Sequence, residues 1–499
     1  MKIAYVYKKR IKNFLVDNYL ILILVLLFFL IKSAYLLKAH TIIWDEAVYM
    51  NMGKYLFSSG DIGFWEIVRP IGLPLILGII WKSGLNYIFF SEFLSILFSI
   101  GTIILVYLIG KSMVNPIVGF VASFMLSITS VFFLYTNYML TEIPSTFFVL
   151  LGIYIYIKKN SLFLSGIICG VGSLFRFPQG LIWVSFILAF LFLLLQYKRI
   201  SFFLKKSSLF TFGFLLIHIP FLVFNYFIYA KETSRLHHAL LRPWLLGAWA
   251  QSNPAESVIT GTLGSYMYNI FYYIIQLFKE NTLLIFIIAG LIFIFKLKLY
   301  KKESFNLILV TFFVYFIYFT FIINKQVRFL IVFLPYASLI AAYGFYHSFL
   351  KSKKDRIRIL IVVFVVVSLV GVISRDLSYY DWRLKEEQPI VNEYYKFFAG
   401  KEIRGPILTT DPVPAVYVDA KFIPFYFSVD LGYEIYTSNE DNAFAVIFSP
   451  ESFYCAKDDE QCKIKLVKLH KLIENKNRQV FSDIYGERAY YIYLSKKVT

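Results

Sequence analysis

The chain has 499 residues, of which 59% are hydrophobic and only 16% are charged. Soluble domains carry about 25% charged residues, and the long apolar runs of this chain require a lipid bilayer as their solvent. The formal net charge is +19, but the basic residues stand in short clusters between apolar runs and not along one face, which argues against nucleic acid as a partner.

Eleven apolar segments are predicted to cross the membrane as helices. They cover about residues 14–37, 89–109, 116–134, 143–157, 161–175, 179–196, 208–229, 281–296, 305–323, 329–349 and 357–374. The first is too long for a cleavable signal peptide. A further apolar stretch, residues 266–278, is predicted to be a re-entrant or surface helix.

The basic residues predict the orientation of these spans. With the N-terminus in the cytoplasm, the lysine and arginine clusters fall in the short inner loops, as the positive-inside rule requires. Two outer loops are then long, residues 38–88 and 230–280. Residues 1–374 are predicted to form a transmembrane catalytic domain in the cell membrane, and residues 375–499 an extracytoplasmic domain.

The C-terminal segment is predicted to be a small α/β domain. Strand-like runs occur at residues 406–410, 443–448 and 490–494, and residues 462–473 have helical apolar spacing. Cys455 and Cys462 lie in this domain. Outside the cytoplasm they could form a disulfide, a question that the sequence leaves open.

The first long outer loop begins with two adjacent carboxylates, Asp45 and Glu46, followed by an amphipathic stretch. Asp45 is predicted to be the N-cap of this helix, with Glu46 in its first turn. An ionised aspartate in a pocket at the membrane surface could accept a proton from a substrate hydroxyl. A capped interfacial helix without chemistry is the alternative.

Further charged residues stand at the outer ends of spans, namely Arg69, Glu142, Arg176 and Arg328. Each arginine alone is explained as an anchor that reaches the membrane interface. Together with Asp45, they indicate an outer pocket that holds acids and arginines, and arginine forks bind phosphate well.

This pattern resembles the GT-C glycosyltransferases that use polyprenyl-phosphate-linked sugars, in particular the protein O-mannosyltransferase and aminoarabinose-transferase-like group. The matching pieces are the Asp-Glu pair, Arg69-Pro70, the Thr-Glu-Ile-Pro run that contains Glu142, Arg176, and Arg328 ahead of Leu334-Pro335. Each motif is short, and the specificity comes from their joint order. The resemblance implies a polytopic α-helical fold with a small C-terminal extracytoplasmic α/β domain.

The resemblance also implies roles for these residues. Asp45 would be the catalytic base, with Glu46 supporting it and Glu142 as a second acid. Arg69, Arg176 and Arg328 would bind the donor phosphate. One displacement by an acceptor hydroxyl would invert the anomeric centre.

The implied donor is a dolichyl or undecaprenyl phosphate sugar, and the acceptor a protein, lipid or glycan. No cofactor is required, although a divalent metal held by Asp45 and Glu142 is possible. His237, His238 and Arg242, in the second long outer loop, could line the donor or acceptor entrance, or belong to a solvated interfacial loop.

Two alternatives remain. A polytopic transporter or lipid flippase would need charged residues or broken helices near the membrane midplane, whereas the acids here gather near one surface. An oligosaccharyltransferase, also of the GT-C type, would carry a Trp-Trp-Asp-type motif, which this C-terminal segment lacks.

Overall fold

The computed structural model describes residues 2–36, 42–66, 69–228, 263–322, 324–351, 355–386, 390–453, 455 and 459–496, with side chains throughout except at 2–17, 263–266, 379–386 and 391. The chain divides into two compact units. The first comprises residues 1–37, 70–72 and 92–380, and the second residues 38–69, 73–91 and 381–499. The predicted boundary at residue 374 stays a prediction, because compactness alone does not show independent folding.

The first unit is helical. Its helices are Lys2–Leu36, Tyr87–Met113, Pro116–Ser127, Ser130–Tyr135, Glu142–Lys159, Leu162–Phe175, Leu181–Tyr197, Ile200–Leu216, Ile219–Ile228, Leu263–Glu280, Phe286–Lys296, Glu303–Phe321, Leu330–Phe345 and Asp355–Glu386. Tyr87–Met113 begins in the second unit, and Asp355–Glu386 ends in it. Every predicted span falls on one or two of these helices. The stretch predicted to be a re-entrant or surface helix lies within Leu263–Glu280.

Seven of the described helical segments are long and apolar enough to cross a membrane, namely Asn18–Leu36, Tyr87–Met113, Phe177–Tyr197, Ile200–Phe227, Glu303–Phe321, Val327–Leu350 and Asp355–Ser378. Shorter apolar helices include Pro116–Ser127, Leu162–Phe175 and Thr282–Lys296. The chain is therefore a multi-pass membrane protein. The count of eleven spans stays a prediction.

The helix Leu330–Phe345 is buried along almost its whole length. It packs closely against Phe286–Lys296, because a Cβ added to Gly290 would lie 2.1 Å from the carbonyl oxygen of Ile340. Small residues allow such close approach between helices in membranes. The short turn Val327–Phe329, which carries Arg328, directly precedes this buried helix.

The second unit contains a five-stranded sheet. Its strands are β1 (Ile407–Thr409), β2 (Phe422–Pro424), β3 (Ala445–Phe448), β4 (Asn477–Tyr485) and β5 (Arg488–Ser495), in the spatial order β2-β1-β3-β5-β4. Strand β1 is parallel to β2 and β3, whereas β5 is antiparallel to β3 and β4. The core is formed by buried residues of the sheet and of the helices Val429–Asn439 and Glu460–Lys476. The predicted α/β architecture is confirmed.

The part of the second unit that comes from the first long loop contains the helices Trp44–Phe57 and Gly72–Lys82. Gly72, the first residue of the second of these helices, belongs to the first unit. Gly63 pairs with the edge of the sheet, since its N–H donates to the carbonyl of Ala420 and its own carbonyl accepts from Phe422. Gly63 has φ +74°, and a Cβ there would lie 2.4 Å from the carbonyl oxygen of Asn51.

Candidate active site

Asp45 lies in the first turn of the helix Trp44–Phe57, but it is not the N-cap. Ile43 holds that position, and the carboxylate of Glu46 accepts a hydrogen bond from the Ile43 N–H at 3.0 Å. The prediction that Asp45 caps the helix is therefore wrong, because a residue three positions into the helix reaches back to the free backbone donor. Glu46 is almost fully buried in this arrangement.

An acid–arginine group, here called the Asp45 cluster, consists of Asp45, Tyr49, Glu66, Arg69 and Tyr426. Nη2 of Arg69 lies 2.8 Å from Oδ1 of Asp45, and its Nε lies 2.5 Å from Oε2 of Glu66. Burial lowers the pKa of Arg69, but the charges of Asp45 and Glu66 outweigh this and hold the pKa well above its ordinary value. One guanidinium thus bridges two carboxylates.

Two tyrosines complete the Asp45 cluster. The Arg69 guanidinium lies 5.2 Å from the ring centre of Tyr49. The Tyr426 hydroxyl donates to Oε1 of Glu66 at 3.1 Å. Because Glu66 is only 4% exposed and Asp45 19% exposed, Asp45 is the carboxylate of the pair that solvent or a substrate can reach.

A second acid–arginine group, the Glu142 cluster, lies in the first unit and consists of Thr141, Glu142, Arg176, Gln326 and Arg328. Oε1 of Glu142 lies 3.1 Å from Nη1 of Arg176 and 3.4 Å from Nε of Arg328. The Arg328 Nε also donates to Gln326 at 2.5 Å, and Nη1 of Arg176 donates to Thr141 at 3.2 Å. Two positive charges therefore face one buried carboxylate.

Arg176 retains donor capacity in this cluster. The residue is 8% exposed, and among the described residues its Nε and Nη2 have no hydrogen-bond partner. A buried N–H without a partner costs about 1–3 kcal/mol. Such donors favour an anion with several acceptor oxygens at this position.

The structure brings Asp45 to Arg69, and Glu142 to Arg176 and Arg328, as ion pairs. His237, His238 and Arg242 lie outside the described residues. Glu66 was missed by the sequence analysis, although its spacing of three residues from Arg69 is a pattern that could have revealed it. Lys54, in the same helix as Asp45, is buried, and its Nζ lies 2.8 Å from Asp419 and donates to three backbone carbonyls.

The possibility that Asp45 and Glu142 hold a divalent metal stays a prediction. In the ranges that the structure describes, no group of three or more His, Cys, Asp and Glu side chains could hold a metal ion. The requirement for a metal, and the roles of the individual site residues, stay predictions.

Comparison with solved structures places the fold. The chain aligns with ArnT from Cupriavidus metallidurans, in a structure bound to undecaprenyl phosphate, with a TM-score of 0.58 and 10% identity over 95% of this chain and 97% of that one. It aligns with the oligosaccharyltransferase AglB from Archaeoglobus fulgidus, in a complex with an inhibitory peptide and a dolichol-phosphate, with a TM-score of 0.55 and 14% identity over 95% of this chain and 74% of that one. The protein therefore has the fold of the GT-C glycosyltransferases, and the predicted fold class is confirmed.

Within that class, a family model described as dolichyl-phosphate-mannose-protein mannosyltransferase matches residues 69–224. This segment includes Arg69, Glu142 and Arg176. A sequence search of curated proteins found no match to the chain. The family match and the fold together bear out the resemblance to GT-C glycosyltransferases that the sequence motifs indicated.

Proposed function

We propose that this protein transfers a sugar from a polyprenyl-phosphate-linked donor to an acceptor hydroxyl on the outer face of the membrane, with inversion and with Asp45 as the general base. The observation that carries the proposal is the buried guanidinium of Arg176, which has two free donors beside Arg328 and Glu142. This arrangement suits a phosphate group. The fold adds support, because ArnT and AglB bind undecaprenyl phosphate and dolichol-phosphate.

The composition of the two clusters supports different roles for their arginines. The Glu142 cluster brings two arginines to one carboxylate, and guanidinium groups are good donors to phosphate oxygens. The Asp45 cluster has one arginine and two carboxylates, which disfavours a phosphate there. We therefore assign donor binding to Arg176 and Arg328, and assign to Arg69 the positioning of Asp45.

We assign the role of base to Asp45 because its carboxylate is partly exposed and is oriented by the ion pair with Arg69 at 2.8 Å. It would take the proton of the acceptor hydroxyl as the oxygen attacks the anomeric carbon. The bond between that carbon and the phosphate oxygen breaks, and the leaving phosphate keeps the electron pair. Arg176 and Arg328 would stabilise the charge that develops there.

The experiment uses the purified full chain in proteoliposomes with radiolabelled dolichyl and undecaprenyl phosphate sugars and an acceptor mixture from a membrane lysate. Asp45→Asn should lower the rate of transfer at least 10²-fold, since a positioned base contributes about 10²–10⁴-fold. Asp61→Asn, at an exposed residue of the same loop, is the matched control and should leave the rate unchanged.

Three results would contradict the proposal. Transfer by Asp45→Asn at the wild-type rate would remove Asp45 as the base. Absence of transfer by the wild-type protein would remove the transferase activity. Movement of the labelled lipid across the bilayer without transfer would identify a flippase.

A further inference from the structure

The second unit contains a cavity of about 690 Å³, within the range of small-molecule binding sites. Its wall includes Trp44, Tyr395, Asp411, Arg488 and Tyr490. All five belong to the same compact unit. None of them has a role in the donor site or in the Asp45 cluster as described above.

The topology of the sheet explains why polar groups meet there. Asp411 follows β1 and Ser449 follows β3, and these two strands are parallel. The antiparallel strand β5 begins at Arg488, at the same edge, since Tyr491 pairs with Phe448 at the end of β3. Ligands of open α/β sheets bind outside the carboxyl ends of the parallel strands, which is the position of this cavity.

Asp411 lines the cavity and its carboxylate can accept hydrogen bonds. Its side chain is 5% exposed, and Oδ1 accepts a hydrogen bond from the Val413 N–H at 2.9 Å. Among the described residues, the structure shows no hydrogen bond to Oδ2. Burial raises the pKa of Asp411 to about 6, although the Val413 N–H and the charge of Arg488 oppose this rise. A ligand that donates hydroxyl groups would supply the missing bond.

The remaining walls fit a polyhydroxylated ligand. Arg488 can donate to hydroxyl and ring oxygens, and Ser449 and Ser452 also line the cavity. Trp44, Tyr395 and Tyr490 offer aromatic surface for the apolar faces of a sugar ring. Asp411 and Arg488 are the charged residues of the lining and balance each other, so the lining favours a neutral ligand over an ionic one.

A series of side-chain contacts within the second unit leads from the wall of the cavity to the Asp45 cluster. The ring of Trp44 packs edge-on against Tyr426, with 4.7 Å between ring centres. Tyr426 in turn bonds to Glu66, which pairs with Arg69 beside Asp45. Trp44 is also the residue directly before Asp45 in the chain.

We propose that this cavity binds a neutral saccharide that forms part of the acceptor, with Asp411 accepting its hydroxyl groups and Arg488 donating to its oxygens. The acceptor role rests on the proposed transferase function. The binding itself requires neither the donor lipid nor the carboxylate of Asp45.

The test measures saccharide binding apart from catalysis. Detergent-purified full-length protein carrying Asp45→Asn is applied to an array of neutral mono- to tetrasaccharides of mannose, glucose, galactose and N-acetylglucosamine. We expect capture by at least one saccharide series. Asp411→Asn and Arg488→Gln, each added to this protein, should weaken binding to that series at least tenfold. Asp430→Asn, at an exposed position paired with Lys465, should bind as strongly as the parent.

Capture by none of these saccharides would overturn the proposal, and so would equal capture by the Asp411→Asn and Arg488→Gln variants. A melting curve for each variant separates lost binding from lost folding. The transfer assay described above distinguishes the two proposals. Transfer that is insensitive to Asp411→Asn would overturn the saccharide cavity and leave the transferase intact. Saccharide capture without any transfer would support the cavity and reject the transferase function.

Discussion

At the Asp45 cluster, Arg69 is shared between two carboxylates of unequal exposure. Glu66 is buried and bonded by Tyr426, whereas Asp45 is the more accessible partner. Glu46, next to Asp45 in the sequence, is committed to the backbone of Ile43. Two adjacent acids of the same loop thus have different environments, and Asp45 is the one that keeps solvent exposure.

The Glu142 cluster leads to a prediction about Arg328. Replacing Arg328 by Ala should weaken binding of undecaprenyl phosphate by about 10–100-fold, since a hydrogen bond to a charged group contributes about 1.5–3 kcal/mol. Acceptor binding should change much less. Titration of the labelled lipid into purified protein measures the first effect. Arg199→Ala, at an exposed arginine remote in sequence, is the control. Equal lipid affinity in wild type and Arg328→Ala would contradict the assignment.

Asp411 leads to a prediction about stability and pH. The pKa is about 6 in the folded protein and 3.8 ordinarily, so the folded state binds the proton more tightly than the unfolded chain. The contribution of Asp411 to the free energy of unfolding therefore falls as pH rises from about 4 to about 6. Above that window the cost of the buried charge reaches about 3 kcal/mol.

Asp411→Asn should remove this cost and raise the melting temperature at pH 7.5, with a smaller gain at pH 4.5. Thermal unfolding of the full-length protein at both pH values measures the difference. Asp430→Asn should show no such dependence. A lower melting temperature for Asp411→Asn at pH 7.5 would contradict the prediction, which also implies that the natural carboxylate is kept at the expense of stability.

At the scale of elements, the helix Trp44–Phe57 is fixed to the C-terminal part of the second unit by a buried lysine. Nζ of Lys54 bonds to the carbonyls of Ala415, Val416 and Val418, which lie in and after the helix Pro414–Tyr417. Its ion pair with Asp419 joins the same contact. This attachment determines the position of the helix that carries Asp45.

Lys54→Met should therefore destabilise the second unit by about 1–3 kcal/mol or more, because buried carbonyls lose their donor. Limited proteolysis of the full-length protein should cleave residues 390–496 faster in the variant. Lys82→Met, at an exposed lysine of the helix Gly72–Lys82, should be cleaved like the wild type. An unchanged cleavage rate for Lys54→Met would show that the lysine does not hold the two segments together.

At the scale of the whole molecule, the apolar helices define a multi-pass membrane protein, and its orientation stays a prediction from the basic loops. The disulfide between Cys455 and Cys462 suits an oxidising compartment. It agrees with the extracytoplasmic C-terminal domain that the basic inner loops predict.

Reporter fusions test this orientation. Alkaline phosphatase fused after residue 499 should be active, because it reaches the oxidising side of the membrane. The same enzyme fused after Lys159, in a short basic loop, should be inactive. An inactive fusion after residue 499 together with an active fusion after Lys159 would contradict the proposal that the Asp45 and Glu142 clusters lie at the outer surface.

The sequence by itself determined the helices and much of the sheet. Long apolar runs predicted the spans, and the runs at 406–410, 443–448 and 490–494 predicted β1, β3 and β5. It missed β4, whose exposed polar residues carry a weak apolar pattern, and β2, which is short and ends in Pro424. Such edge strands are stabilised by pairing more than by their own composition.

Only the tertiary structure decided which charges meet. The pairing of Glu142 with Arg176 and Arg328, and the meeting of Asp411 with Arg488 in one cavity, join residues far apart in the chain. Local periodicity reports whether a segment prefers lipid, core or water. It carries no information about which distant partner will neutralise a buried charge, since that depends on how the packed helices and strands bring the side chains together.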